Sequence, residues 1–371
     1  MATLKDVALK SNVSIATVSR VLNNKAGLIG ITEETRQKVL DAAKALNYQP
    51  DISARSLRLG RSLKAILFLY TYHEKDKYGL GENMFFPHPF FSHVLHGVQL
   101  GVQAKGYYVS YLSAAELEIE TLRRLFDGEI SGVISWGQLR GDIQSLIREK
   151  RIPLVGIEPY LSPDDILPAI YVDNELAVSQ ALNHLVRLGH RRIGFISLQN
   201  EDGVELPQFK ERREAFLKLL PRFGLARFPG QEMFGISRPG VPDYNPGQPA
   251  AKYWLELGVK QQPTAAVVGS DLLAIGAIHT FRSMGLKIPK DISIVGIDDI
   301  DWSRYNEPPI TTVRIPKEQM GELAVVLLDR LMNGKKVREI RHLIKTELII
   351  RSTTNSLPPA NPAGGDAGEG P

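Results

Sequence analysis

From Lys64 onward the sequence repeats one pattern, a short apolar run joined to a longer amphipathic stretch. "KAILFLY" is followed by "FSHVLHGVQLGVQAKG" and then "YYVSYL". "SGVISW" follows "LRRLFDG", "PLVGIE" follows "IQSLIREKR", and "RRIGFIS" follows "ALNHLVRLGH". Further on, "TAAVVGS", "DLLAIGAIHTFRSMG" and "ISIVGID" come in succession. Short apolar runs of this kind read as strands buried on both faces, and the longer stretches as helices. Strands alternating with helices define an α/β fold with a doubly wound parallel sheet. There are too many such units for one ordinary sheet. Residues 62–351 are therefore expected to form two lobes, each with its own parallel sheet, and a cleft between them.

Folds of this class bind ligands at the carboxyl ends of their strands. That rule selects Trp136 at the end of "SGVISW", Glu158 at the end of "PLVGIE", Ser270 after "TAAVVG" and Asp298 at the end of "ISIVGID". Carboxylates accept hydroxyl hydrogen bonds and flat rings pack on apolar C–H faces, so the set suits a sugar. Asp271 reads as a helix cap as readily as a ligand group. Trp254 reads as a helix-packing residue and stays off the list.

The first 62 residues differ in charge from the rest. They hold ten Lys/Arg against five Asp/Glu, a net of +5, whereas the whole chain of 371 residues is +4, which leaves −1 for the remainder. A basic head on a near-neutral body suits a polyanionic partner. "TLKDVALKS" places Leu4, Val7 and Ala8 at helical spacing, "SNVS" makes a turn, and Ser14 can cap a second helix from Ile15 to Leu22. A third helix follows in "TEETRQKVLDAAKALNY", with Thr32 as cap and a stripe of Val39, Ala42, Ala43 and Leu46. Two short helices and a turn packed on a third make a helix-turn-helix head, residues 1–47, whose second helix enters the major groove of DNA. Ile15 and Ala16 can touch thymine methyls, Arg20 can fork onto guanine, and Ser14, Thr17, Ser19 and Asn23 suit phosphate or nearby contacts.

"TLKDVALKSNVSIATVSRVLNN" followed by "NYQPDISARSLRLGRS" resembles the head and hinge of the LacI/GalR transcription repressors, and the resemblance runs to about Arg351. It implies that Ile15 and Ala16 are the main specificity positions, with Arg20 a third. An apolar–Ala pair there is similar to the galactose-repressor branch. It implies that residues 48–61 form a hinge helix, in which Leu57 wedges into the minor groove beside Ala54 and Arg55. It adds Arg212, in "KERREAF", and Phe90 and Phe91, in "HPFF", to an effector pocket with Trp136, Glu158, Ser270 and Asp298. It also implies three crossings between lobes, near residues 161–169, 314–317 and 343–346. The segment "HEKDKYGLGENMFF", residues 73–86, looks like an insertion.

The chain has no cysteine, which excludes disulfide and zinc–thiolate frameworks. It shows no Walker loop, no Gly-x-Ser-x-Gly elbow and no His-Glu-x-x-His pair. His88, His93 and His96 read as rim or surface residues rather than a metal site. Neither a cofactor nor a metal is expected, and the chain does not read as an enzyme. With no signal-like amino terminus and no run long enough to span a membrane, it is expected in the cytoplasm. The Pro/Gly-rich tail, residues 352–371, is expected to be disordered and has no leucine heptads, so a homodimer on a near-palindromic DNA operator is expected. The function implied is a repressor of carbohydrate-utilisation genes released by a sugar inducer. The alternatives are a purine-like corepressor on the same DNA-binding protein or, further off, a sugar-binding receptor or enzyme.

Overall fold

A computed structural model describes residues 4–22, 31–46, 64–70, 89–114, 117–128, 130–159, 167–200, 202–237, 247–257 and 262–357. The chain divides into two compact units, residues 1–63 and 64–371.

In the first unit, α1 (Leu4–Ser11), α2 (Ile15–Leu22) and α3 (Glu33–Ala45) pack around Val7, Ala8, Val18, Val21, Val39, Ala42 and Ala43. Asn12 makes the tight turn with φ 53°, a left-handed conformation that asparagine tolerates. The Ser14 hydroxyl then accepts from the Thr17 amide at 3.1 Å, and Thr32 does the same for Thr35 at 3.3 Å. Both caps stand where the sequence places them. The hinge and the 73–86 insertion lie outside the described residues, as do Asn23, Ala54, Arg55 and Leu57.

The second unit contains two six-stranded sheets. The first has the order β11-β5-β4-β3-β1-β2, built from β1 (Ala65–Tyr70), β2 (Tyr108–Ser113), β3 (Ile130–Trp136), β4 (Leu154–Ile157), β5 (Ala169–Val172) and β11 (Arg341–Ile344), all parallel. Its helices are α4 (Pro89–Lys105), α5 (Ile119–Gly128), α6 (Gly141–Glu149) and α12 (Lys317–Met332). The second has the order β12-β10-β9-β8-β6-β7, from β6 (Ile193–Asn200), β7 (Glu232–Ser237), β8 (Ala265–Val268), β9 (Ser293–Asp298), β10 (Thr311–Arg314) and β12 (Glu347–Ile349). Only β12 there runs antiparallel to its neighbour. Its helices are α7 (Asn174–Arg187), α8 (Pro207–Leu219), α9 (Gly247–Glu256), α10 (Asp271–Ser283) and the short α11 (Asp301–Tyr305). The expected fold class, a head plus two doubly wound lobes, is the one observed.

The chain crosses from the second sheet back to the first after β10, at residues 315–316, and returns between β11 and β12, at residues 345–346. The first crossing, expected near residues 161–169, comes later: Ala169–Val172 form β5 of the first sheet, where Ala169 and Ile170 pair with Gly156 and Ile157 of β4. The change of lobe comes at Asp173, whose carboxylate caps α7 by accepting from the Leu176 amide at 2.9 Å. An apolar "AIYV" run is more stable as a buried strand than as an exposed connector. The carboxyl boundary also moves. Thr353 is fully buried, its hydroxyl accepting from Thr311 N at 2.8 Å and donating to Ile294 O at 2.7 Å. Leu357 N still donates to Leu188 O at 2.9 Å, so residues 352–357 belong to the body rather than to a disordered tail.

Candidate functional site

The order of each sheet locates its crevice. In the first, the chain goes from β1 outward to β2 and then back across to β3, so the switch point lies between the ends of β1 and β3, at Tyr70 and Trp136. In the second it lies between β6 and β8, at Asn200 and Val268. Ligand crevices open at such points because the loops diverge there.

On the first lobe, α4 starts at Pro89 and brings Phe90 and Phe91 against Trp136. Ring centroids lie 5.9 Å apart for Phe90–Trp136, 4.7 Å for Phe91–Trp136 and 5.9 Å for Phe90–Phe91, each pair edge to face. Trp136 pairs with Ile157 in the β3–β4 register, which sets Glu158 beside it. Glu158 has φ 47°, and its carboxylate accepts from Val172 N at 2.5 Å. Burial pushes this carboxyl up to about 7, with a further push from Glu211 and an opposing pull from Arg212 and Arg341.

On the second lobe, α8 carries Arg212 inward. Its Nε donates to Asn174 Oδ1 at 2.9 Å, and its Nη1 donates to Gly269 O at 2.5 Å and pairs with Asp298 Oδ1 at 3.3 Å. Both side chains of the pair are almost fully buried, at 5% and 8% exposure. Asp298 sits at the end of β9 with φ 125°, and Asp299 follows at φ 52°, conformations held only where surrounding contacts over-determine them. Burial raises the Asp298 carboxyl, and Arg212 and Lys317 work against that rise.

Ser270 caps α10, its Oγ accepting from Leu273 N at 3.2 Å, directly after the Gly269 carbonyl that holds Arg212. The capping role therefore belongs to Ser270, not to Asp271. Asp271 is fully buried, accepts from Thr312 Oγ1 at 2.5 Å and from Ile300 N at 3.0 Å, and braces the strand ends. Burial and the nearby Asp298 push its carboxyl to about 8. Trp254 packs its helix as expected, donating to Gly230 O at 2.7 Å and stacking on Phe281.

Two neighbours of these residues were not legible in the sequence. Lys317 is buried and spans the two halves of the site. Its Nζ donates to the carbonyls of Asp298 at 2.6 Å and Asp299 at 3.0 Å, and stands 5.8 Å from the Phe90 ring. Asn174 bridges Arg212 and Glu211. A lysine opening a helix, where the dipole disfavours it, is the one signal that marks Lys317 in advance. His93 contacts Glu318 and, at 3.3 Å, Asp301; among the described residues no group of His, Asp and Glu is arranged to hold a metal ion.

In the head, α2 buries Val18 and Val21 and leaves Ile15, Ala16 and Arg20 exposed, with Thr17 and Ser19 half-buried. Ile15 is 45% exposed at the start of a capped helix.

Residues 3–51 match the family described as bacterial regulatory proteins, lacI family, and residues 182–354 match the periplasmic binding protein-like domain. The chain is 31% identical over 360 residues to the HTH-type transcriptional repressor CytR of Escherichia coli (strain K12), covering 96% of this chain and 97% of that one. Among solved structures, it resembles the transcriptional regulator CelR–cellobiose complex with a TM-score of 0.63 and 26% identity, covering 95% of this chain and all of that one. It also resembles the Lac repressor bound to ONPG in its repressed state, with a TM-score of 0.69 and 25% identity over 95% and 99% of the two chains. A helix-turn-helix head with an exposed reading helix, two doubly wound lobes and these likenesses together make the chain a member of the LacI family, a DNA-binding transcriptional regulator.

Proposed function

We propose that the protein is a repressor of carbohydrate-utilisation genes, acting in the cytoplasm as a homodimer on a near-palindromic operator, and that a sugar releases it. The observation that carries the sugar assignment is the pairing of an aromatic wall, Phe90, Phe91 and Trp136, with the buried Arg212–Asp298 pair. The wall offers faces for sugar C–H groups, and the ion pair and Glu158 offer donors and acceptors for hydroxyls. The likeness to a regulator solved with cellobiose supports the same chemistry. In the head, Ile15, Ala16 and Arg20 read bases, in the manner of the galactose-repressor branch. Ser14, Thr17, Ser19 and Asn23 hold the backbone, and Ala54, Arg55 and Leu57 engage the minor groove. An apolar wedge at Leu57 kinks the duplex by unstacking a base step. Sugar binding then shifts the population away from the DNA-bound arrangement, by the difference in its affinity for the two states.

The test is fluorescence anisotropy on labelled DNA from the gene's own promoter, with mono- and oligosaccharides titrated in. The expected result is tight binding that one saccharide reverses. Binding that a saccharide or a purine strengthens would replace the inducer with a corepressor, which the same aromatic wall would also seat. Failure to bind at low salt would overturn the reading of the head.

A further inference from the structure

Lys317 is placed against electrostatic preference. It is the first residue of α12, at the positive end of the helix dipole, and it is 4% exposed. Burial lowers its ammonium from the usual lysine range. Such a position persists only if the ammonium is fully satisfied. Its three donors go to the carbonyls of Asp298, Asp299 and Ile315, the last at 3.3 Å. Two of these belong to the left-handed residues that aim the Asp298 carboxylate at Arg212. The lysine thus fixes the backbone on which the effector contact stands.

The helix that Lys317 opens is a stiff rod of 16 residues, about 23 Å long. It lies backbone to backbone on α4. A Cβ on Gly97 would stand 2.0 Å from Glu318 O, and a Cβ on Gly321 would stand 2.2 Å from Val94 O. Contact this close leaves neither helix room to slide without moving the other. The far end of the rod is tied to the point where the body begins after the hinge. Asp329 accepts from Tyr107 OH at 2.5 Å, Lys105 Nζ at 3.0 Å and Asn333 Nδ2 at 2.8 Å, and Asn333 Oδ1 accepts from Lys64 Nζ at 2.6 Å. Lys64 also stands 5.7 Å from the Tyr107 ring and gives its carbonyl to Tyr108 N.

We infer that Lys317 is a positioning residue that couples the state of the Asp298 turn to the root of the hinge, through α12 and the Asp329–Asn333–Lys64 cluster. The inference rests on reading the cleft as the effector site and the hinge as its output. It adds the route between them, and names the residues at each end. A ligand that pulls on Asp298 shifts the carbonyls that Lys317 holds, and the rod carries that shift to Lys64. Linkage makes the route reciprocal, so a change at Asp329 must be felt at Asp298.

The experiment is hydrogen–deuterium exchange on the full-length protein, without DNA or sugar, comparing wild type with Lys317→Met, Lys317→Arg and Asp329→Asn. Because nothing is added, the outcome does not depend on the operator or the sugar being correctly assigned. Lys317→Met is expected to speed exchange at least threefold in residues 64–70 and 105–113 as well as in residues 293–317, and Lys317→Arg to restore most of the protection. Asp329→Asn is expected to act along the same route in the opposite direction, speeding exchange in residues 293–317 from the far end, and it carries the test if Lys317→Met does not fold. Changes confined to the neighbourhood of each substitution would overturn the coupling. A uniform rise across the body, Ala265–Ser283 included, would also overturn it, because Lys317 would then only hold the fold.

Discussion

Glu158 is buried and accepts from Val172 N, and burial holds its carboxyl at about 7 rather than the ordinary 4.5. Because the folded state binds this proton more tightly, the associated stability is complete below pH 4.5 and is lost as pH rises through about 7. The full swing is about 3 kcal/mol at 1.36 kcal/mol per pH unit. Glu158→Gln keeps a carbonyl acceptor for Val172 N and removes the titration. Urea denaturation of wild type and variant between pH 4.5 and 8 is therefore expected to show a gap that widens with pH in favour of glutamine. Parallel curves would mean that the group titrates normally. Asp271 shifts the same way, but it is common to both proteins and cancels. Arg212 supplies a second case. Arg212→Met leaves Asp298 buried beside Asp271 without its ion-pair partner, and is expected to cost about 3–5 kcal/mol at neutral pH. A denaturation midpoint within error of wild type would remove the pair from the list of stabilising contacts. At this scale the strand-end rule selected Trp136, Glu158, Ser270 and Asp298, and the structure places each at the end of a strand or just after it. The rule missed Lys317 because that residue acts through backbone carbonyls, and the conformation of a carbonyl is not written in residue type.

Among the helices, the local signals were strong where a cap is followed by an apolar stripe. Ser14 and Thr32 were legible for that reason, and α2 and α3 begin one residue after them. At α10 the signal was double, since Ser270 and Asp271 both suit a cap, and only packing decides that the serine turns back while the aspartate turns into the core. The contact between α4 and α12 was not legible at all. Glycines at 97 and 321 read as weak helix formers, but they are what allows two backbones to touch. Gly321→Ala pushes a methyl into Val94 O at 2.2 Å and Val98 N at 2.5 Å, atoms of a rigid helix that cannot yield as a side-chain tip would. Overpacking of this kind costs about 1–3 kcal/mol or more. Gly141→Ala, with nothing within 4 Å of its new methyl, is the control and is expected to be neutral or slightly stabilising. Thermal denaturation of the two variants measures the contrast, and equal midpoints would show that the helices are free to separate.

For the molecule as a whole, sequence alternation was enough to specify two doubly wound lobes, because each strand-helix unit buries its faces the same way. It was not enough to place the first crossing, since "AIYV" carries no mark of which sheet it joins: the run pairs with β4 on one side and with β11, over 150 residues away, on the other. The charge division was legible without any structure. A net of +5 in residues 1–62 against −1 in the rest concentrates the chain's excess positive charge in the head and hinge. Two consequences separate non-specific from specific binding. Affinity for any duplex is expected to fall steeply with salt, since each neutralised phosphate releases about one counterion. Arg20 stands exposed on α2 with a fork suited to guanine, so Arg20→Ala is expected to lose about 1–3 kcal/mol of preference for operator over scrambled DNA. If Arg20 instead only neutralises a phosphate, the substitution weakens both duplexes equally and reduces the salt slope by about one. Competition between the two duplexes, at two salt concentrations, decides between a base-reading arginine and a backbone contact.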